Sequence, residues 1–265
     1  MLKIEKVSKT FNIGTVNENK VLNEVSFELE EGDFVTVIGG NGAGKSTVLN
    51  MIAGVYPVDS GRILIDGEDI SLYKEYVRAK FIGRVFQDPM IGTAANMEIE
   101  ENLAMANRRG KKRGLKWGVT AKERTYFKEI VKRLDLGLED RLSDKVGLLS
   151  GGQRQAITLL MATLQKPKVL LLDEHTAALD PKTAKKVLNL TTQIVSEQNL
   201  TTVMITHNMK DAIAIGNRLI MMYDGNIIFD VKGEAKAKLK VEDLLEKFDQ
   251  ASNGEFANDR MLLAN

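Results

Sequence analysis

No cysteine occurs among the 265 residues. That excludes disulfides, thiolate zinc sites and cysteine nucleophiles. Charge of one sign is not in excess either: 37 Lys and Arg stand against 36 Asp and Glu, a formal net charge of +1. The chain as a whole therefore has no attraction to nucleic acid or to an anionic bilayer, and any such contact must be local. Long apolar runs are also missing. No window approaches the roughly 18 apolar residues of a membrane span, and the first residues, MLKIEKVSKTF, alternate like a strand and lack the apolar core of a secretory signal. The expectation is a chain that does not cross a membrane by itself. It shows neither repeats nor low-complexity segments. It is long enough to bury a substantial core, as one large domain or as two closely packed subdomains.

Strand character comes first. LKIEKVSKTF, VLNEVSFEL and FVTVIG read as strands, the last as a continuous apolar run of the kind buried on both faces of a sheet. GGNGAGKS follows it, and then TVLNMIAG, whose helical spacing stops at Gly54. RILIDGEDI predicts a hairpin around Asp66-Gly67, and IGRVF at 82–86 a short strand. MEIEENLAMA, AKERTYFKEIVKRLDL and GGQRQAITLLMATL carry apolar residues at helical spacing. Strands return with VLLLD at 169–173, TTVMIT at 201–206 and RLIMMY at 218–223, with a helix at 182–198. The alternation predicts an α/β fold, a parallel sheet flanked by helices and interrupted by a helical insertion. Met161, Met204, Met221 and Met222 are read as core. From 236 onward one amphipathic helix, VEDLLEKF, stands out.

Gly39-Gly40-Asn41-Gly42-Ala43-Gly44-Lys45-Ser46 fits G-x-x-x-x-G-K-[ST] and lies between a buried strand and a helix that continues with Thr47. Glycines let successive backbone N–H groups curl around phosphate oxygens, and the helix N-terminus adds its positive dipole end. In such a loop Lys45 holds the β and γ phosphates of ATP and Ser46 offers its hydroxyl to Mg²⁺. LLLDEHTAALD then places Asp173 and Glu174 side by side at the end of an apolar strand. Alone, two carboxylates there are an ordinary solvated strand end. Beside a phosphate loop, Asp173 is read as a Mg²⁺ ligand acting through water, and Glu174 as the general base that activates the attacking water.

Ser150-Gly151-Gly152-Gln153, preceded by Leu149, resembles the LSGGQ signature of ATP-binding cassette (ABC) ATPases. Gln87 in VFQDP resembles the Q-loop, Ala178-Leu179-Asp180 the D-loop and His207 in ITHN the switch histidine. Phe11 falls where that family stacks an aromatic ring on adenine. The resemblance implies a P-loop NTPase (RecA-like) core with an antiparallel β subdomain and an inserted helical subdomain. It implies a single nucleotide-binding domain over 1–265: residues 1–87 and 167–230 as core with the β subdomain, 88–166 as helical subdomain, 231–265 as C-terminal extension. It further implies a head-to-tail dimer with a second copy, each ATP held by the 39–47 loop of one chain and by Ser150, Gly151 and Gly152 of the other, with Phe11, Gln153 and Asp180 also among the ATP-binding residues. Gln87 senses Mg²⁺ and His207 contacts the γ-phosphate. SGGQ opens a helix, which suits its N–H groups to phosphate.

Two positions depart from the family's usual residues. Phe11 replaces a frequent tyrosine and keeps the ring face needed for stacking. His175 replaces a proline, and two readings stand: a second proton acceptor or pH-sensitive switch, or a change in loop stiffness that leaves the chemistry intact. One cassette without a membrane span implies that an integral permease is a separate chain, which places this one peripherally on the cytoplasmic face of the cell membrane. Residues 96–118, just after the Q-loop, lie where the family docks that partner, and Trp117 is read as a packing anchor. Arg108, Arg109, Lys111, Lys112, Arg113 and Lys116 form a basic tract, read either as a solvated loop or as a contact to acidic headgroups or the permease. This stretch and DEHTAALDPKTA look like the ATPase of a bacterial amino-acid import system with aromatic amino acids as substrates, which implies a substrate-binding lipoprotein as well. Export or lipoprotein release, and a soluble non-transport ATPase, remain as alternatives. Near-zero net charge and no extended basic face argue against nucleic acid as a partner.

Overall fold

The computed structural model describes residues 1–111 and 118–252. By contacts the chain divides into two compact units, one formed by Met1–Arg78 with the segment from Asn199 onward, the other by Ala79–Gln198. The first unit opens with β1 (Leu2–Phe11), β2 (Asn19–Leu29), β3 (Phe34–Gly39), α1 (Lys45–Ala53), β4 (Ser60–Ile65), β5 (Glu68–Asp69) and the single turn α2 (Glu75–Arg78). The second contributes β6 (Ile82–Val85), α3 (Ile99–Asn107), α4 (Ala121–Lys132), α5 (Gly151–Thr163), β7 (Val169–Asp173) and α6 (Pro181–Gln198). The chain then returns with β8 (Thr201–Ile205), α7 (Met209–Ala214), β9 (Arg218–Tyr223), β10 (Asn226–Lys232), α8 (Glu234–Ala237) and α9 (Val241–Ala251).

In the first unit β2, β1, β4 and β5 form an antiparallel sheet in that order. Its β4–β5 hairpin turns at Asp66 and Gly67, both at positive φ (52° and 81°), the backbone that a tight two-residue turn with right-handed strand twist needs. The other strands of this unit run β10-β9-β3-β8. β3 lies parallel to both β8 and β9, and all its residues are buried, as a strand covered on both faces must be. Met204, Met221 and Met222 are core residues here. β10 closes the edge antiparallel to β9; α7 and β10 were not expected from the sequence.

The second unit pairs β6 with β7 in parallel. Its helices α3, α4 and α5 share an apolar core that includes Ile99, Leu103, Phe127, Val131, Ala156 and Ile157, with Met161 packed against it. Capping boxes fix all three helices at their N-termini: Glu98 with Glu101 on α3, Thr120 with Glu123 on α4, and Ser150 with Gln153 on α5. Among the described residues no helix is long and apolar enough to cross a membrane.

The C-terminal stretch is built into the first unit. α9 buries Leu244 and Phe248 against Ile38, Met209, Ala212, Leu219 and Met221. Truncating a fully buried aromatic ring loses its transfer free energy and leaves a cavity, together about 3–5 kcal/mol. Phe248→Ala is therefore expected to lower the urea midpoint by that equivalent, while Lys247→Ala, at an exposed position of the same helix, stays within about 0.5 kcal/mol. Equal midpoints for the two variants would show that α9 is not part of the cooperative core.

Candidate functional site

Each unit gathers its own set of polar residues at the C-terminal ends of adjacent parallel strands, where open α/β sheets place ligands. In the first unit Val37 of β3 is opposite Ile205 of β8. The loop that begins at Gly39 and the segment holding His207 thus leave the sheet side by side. In the second unit Val85 of β6 is opposite Leu172 of β7. Gln87 and Glu174, each two residues further on, leave that strand pair at the same end.

The 39–46 loop is shaped for an anion. Gly39, Gly42 and Gly44 hold φ of 152°, 78° and 93°, which few side-chain-bearing residues tolerate. A Cβ on Gly39 would lie 2.2 Å from the carbonyl oxygen of Met222, and one on Gly44 2.6 Å from the Leu22 side chain. The loop cannot be widened by ordinary residues. Lys45 is only 5% exposed, and its ammonium donates to the carbonyls of Gly39 and Gly40, 2.8 Å each. A buried ammonium held by neutral carbonyls of its own loop is a strong partner for phosphate oxygens. Ser46 and Asn41 are exposed, and Thr47 is half-buried in the first turn of α1.

Phe11 ends β1 with its ring edge-on to Tyr56, centroids 5.2 Å apart at 82°. Lys9 lies 5.6 Å from the Phe11 centroid and pairs with Asp59 at 2.6 Å. Tyr56 was not found from sequence; nothing in its local pattern distinguishes it from a loop residue. His207 follows β8 directly. Asn208 caps α7 by accepting from the Asp211 N–H at 3.0 Å, so the half-buried histidine is held between a sheet strand and a helix start.

In the second unit Ser150 caps α5. Its hydroxyl oxygen accepts from the Gln153 N–H at 3.3 Å, the Gln153 side-chain oxygen accepts from the Ser150 N–H at 3.2 Å, and Gln153 Nε2 reaches the Leu136 carbonyl. With its oxygen occupied as acceptor, the exposed Ser150 hydroxyl keeps its proton for a ligand. Gly151 and Gly152 are set by α6 and the loop before it: a Cβ on Gly152 would lie 2.1 Å from the Thr183 methyl, and one on Gly151 3.2 Å from Leu179. Asp180 accepts from the Thr183 N–H at 3.1 Å and starts α6. The signature and D-loop residues are thus packed together. Gln87 is exposed; the turn after it is tied by Asp88, which accepts from the Met90 N–H.

Asp173 lies 3.5 Å from Arg84, and Glu174 holds a positive φ of 46°, a conformation that a neighbouring constraint must maintain. His175 supplies one. The Thr191 hydroxyl donates to the Val187 carbonyl at 2.8 Å, so its oxygen accepts from His175 Nε2–H at 2.9 Å. The ring is 2% exposed. Burial holds its pKa at about 4 against an ordinary 6.5. A neutral ring with so low a pKa is a weak proton acceptor, and its hydrogen bond ties the residue after Glu174 to α6. In the basic tract, Arg108 is 2.9 Å from both carboxylate oxygens of Glu123 and Arg109 donates to the Ala162 carbonyl. Lys111 is exposed, while Lys112, Arg113, Lys116 and Trp117 lie outside the described residues.

No ring of three or more His, Asp or Glu capable of caging a metal occurs among the described residues. Mg²⁺ is ordinarily bound through one or two carboxylates together with nucleotide phosphates and water. It takes hard oxygen donors; Ser46 in the first unit carries a hydroxyl, and Gln87 and Asp173 in the second carry an amide and a carboxylate.

A family model described as ABC transporter matches residues 22–177. The chain is 46% identical over 251 residues to the tyrosine transport ATP-binding protein of Clostridioides difficile, a match covering 95% of this chain and 100% of the relative. It is 34% identical to the glycine betaine/carnitine/choline transport ATP-binding protein of Bacillus subtilis, covering 86% of this chain and 57% of that longer relative. Among solved structures, a dimeric ATP-binding cassette in a post-hydrolysis state bound to ADP and Pi is 30% identical with a TM-score of 0.74, covering 88% of this chain and 98% of that one. This chain belongs to the ABC transporter family and is an ATP-binding cassette with ATPase activity.

The buried histidine gives a stability signature. Its folded pKa lies below the unfolded value, so the protonated form is disfavoured in the fold. Stability is complete above pH 6.5 and falls as pH drops toward about 4, by up to about 3 kcal/mol at the acid end. In thermal melts of the nucleotide-free protein, His175→Gln should lose less stability than the native chain between pH 6.5 and 4.5. Parallel pH profiles would show that this ring does not titrate on unfolding.

Proposed function

We propose that this cassette is the energy-coupling subunit of a bacterial amino-acid importer, acting as a head-to-tail dimer on a separate integral permease at the cytoplasmic face of the membrane. The observation that carries the reading is the end-to-end match to the tyrosine transport ATP-binding protein at 46% identity. A substrate-binding lipoprotein completes the assembly in this reading, and nucleic acid has no part in it. We divide the chain functionally into an ATP-binding core with β subdomain (1–87 and 167–230), a helical subdomain with the signature (88–166) and a C-terminal extension (231–265).

Phe11 stacks on adenine, and the N–H groups from Gly39 to Thr47 surround the phosphates. Lys45 exchanges its loop carbonyls for β and γ oxygens. Ser46, Gln87 and Asp173 would hold Mg²⁺, which would supply positive charge to neutralise the nucleotide phosphates. Glu174 takes a proton from the water that attacks the γ-phosphorus; the bond to the β–γ bridging oxygen breaks, leaving ADP and phosphate. His207 positions the γ-phosphate. Ser150, Gly151, Gly152, Gln153 and Asp180 of the second copy complete the site, since N–H groups at the start of a helix suit an anion. Closure of the dimer moves the permease, and phosphate release resets it. Exposed Met90 and Ile91, next to Gln87, offer apolar contacts for that partner.

Glu174→Gln removes the base while keeping the shape. Steady-state ATP hydrolysis should fall by at least about a hundredfold, and affinity purification of this variant from detergent-solubilised membranes with ATP and Mg²⁺ should recover an integral permease and a solute-binding lipoprotein. Recovery of the permease with an export or lipoprotein-release partner would reverse the direction assigned, and recovery of soluble proteins alone would remove the transport reading.

A further inference from the structure

One cation in the second unit has no place in the mechanism above. Arg84 lies on β6 within the IGRVF strand. Its Nη2 is 3.5 Å from Asp173 Oδ2, and the two side chains are only 13% and 16% exposed. The guanidinium carbon sits 4.4 Å from the centroid of Phe86, a separation at which the ring face attracts it. The Phe86 carbonyl in turn accepts from Nε2 of Gln155, a fully buried residue of α5. The carboxylate assigned to the metal therefore already has a resident positive charge. The residue directly before Gln87 is its stacking platform.

Shielding from water matters here, because a charge pair this little exposed is poorly screened by salt. A guanidinium beside a carboxylate stabilises its ionised form. The same field opposes any second cation, and a divalent ion feels it twice over. Orientation of the carboxylate by the arginine works in the opposite direction, as outer-shell partners of metal ligands do. For Mg²⁺ meeting Asp173 through water, orientation counts for less than charge.

We propose that Arg84 is a positioning residue that holds Asp173 in the nucleotide-free protein and weakens the site's affinity for Mg²⁺, so that the metal is retained only together with ATP phosphates. Stacking on Phe86 makes the Q-loop strand the element that registers this exchange, and the Gln155 hydrogen bond carries the contact to α5, the helix that begins at the signature glycines. The inference rests on the reading of Asp173 as the metal-facing carboxylate.

The test is Mg²⁺ titration of the full chain mixed with a non-hydrolysable ATP analogue, read as the rise in melting temperature and as fluorescence of a labelled nucleotide, without turnover. Arg84→Gln, and Arg84→Met as a second neutral replacement, should shift half-saturation to Mg²⁺ concentrations about three- to tenfold lower. Arg84→Lys keeps the charge but not the planar stack on Phe86, and should shift half-saturation less than either neutral variant. Melting without nucleotide checks that each variant is folded. Unchanged or weaker Mg²⁺ dependence in both neutral variants overturns the proposal and leaves Arg84 as a support for Asp173. Asp173→Asn separates the two readings: loss of the Mg²⁺ response upholds the assignment of Asp173, whereas an unaltered response removes that assignment and the role of Arg84 with it.

Discussion

Parallel register is the constraint on which the rest depends. Hydrogen bonding of β3 to β8 sets Val37 against Ile205, and that of β6 to β7 sets Val85 against Leu172. A one-residue slip in either pair would send every side chain to the opposite face of the sheet and displace a loop relative to its neighbour. Because all four strands are almost wholly buried, such a slip is costly, and the loops that follow are delivered to fixed places. Four motifs far apart in sequence become two adjacent pairs within their units through backbone geometry alone.

Fixed delivery does not by itself make a phosphate site; the approach has to be close and the N–H groups free. Gly152 shows how the requirement is met by packing. The Thr183 methyl stands where its Cβ would be, so α6 can lie against the start of α5 only if glycine is there, and the same absence of a side chain bares the N–H groups of the first turn. At Lys45 the device is electrostatic. A buried ammonium must be satisfied, and the loop's own carbonyls do so, which keeps the amine in place and the loop closed around it. In both cases packing and ligand chemistry select one residue type.

Most elements were legible because their patterns were long and consistent. FVTVIG could only be a doubly covered strand, and α4 and α5 repeat apolar residues over three turns or more. β10 was missed although Asp224-Gly225 between RLIMMY and NIIFDVK is a hairpin signal of the same kind as Asp66-Gly67; the run after it alternates too weakly, with four half-buried residues in a row. The six residues of α7 are too few to show helical periodicity. Among functional residues the motifs were readable because phosphate chemistry demands those types at those spacings. The contacts of Arg84, Tyr56 and Gln155 were not, since each is made with a residue distant in sequence. His175 was seen as a departure, but its meaning depended on Thr191, sixteen positions away and on the next helix.

The C-terminal segment illustrates the last kind of dependence. α7 begins at Met209, two residues after His207, and six residues of helix cannot hold themselves in water. Two contacts from the end of the chain make up the deficit. Leu244 and Phe248 cover Met209 and Ala212 on the inner side of α7, and Lys236, 2% exposed, donates to the carbonyls of Ile215 and Gly216 where α7 ends. An ammonium there satisfies orphan carbonyls and meets the negative end of the helix dipole. Burial lowers its pKa to about 8, so near neutral pH it remains the charged donor that this position calls for. The extension thus acts inside its own unit, closing the far end of the short helix whose near end fixes His207.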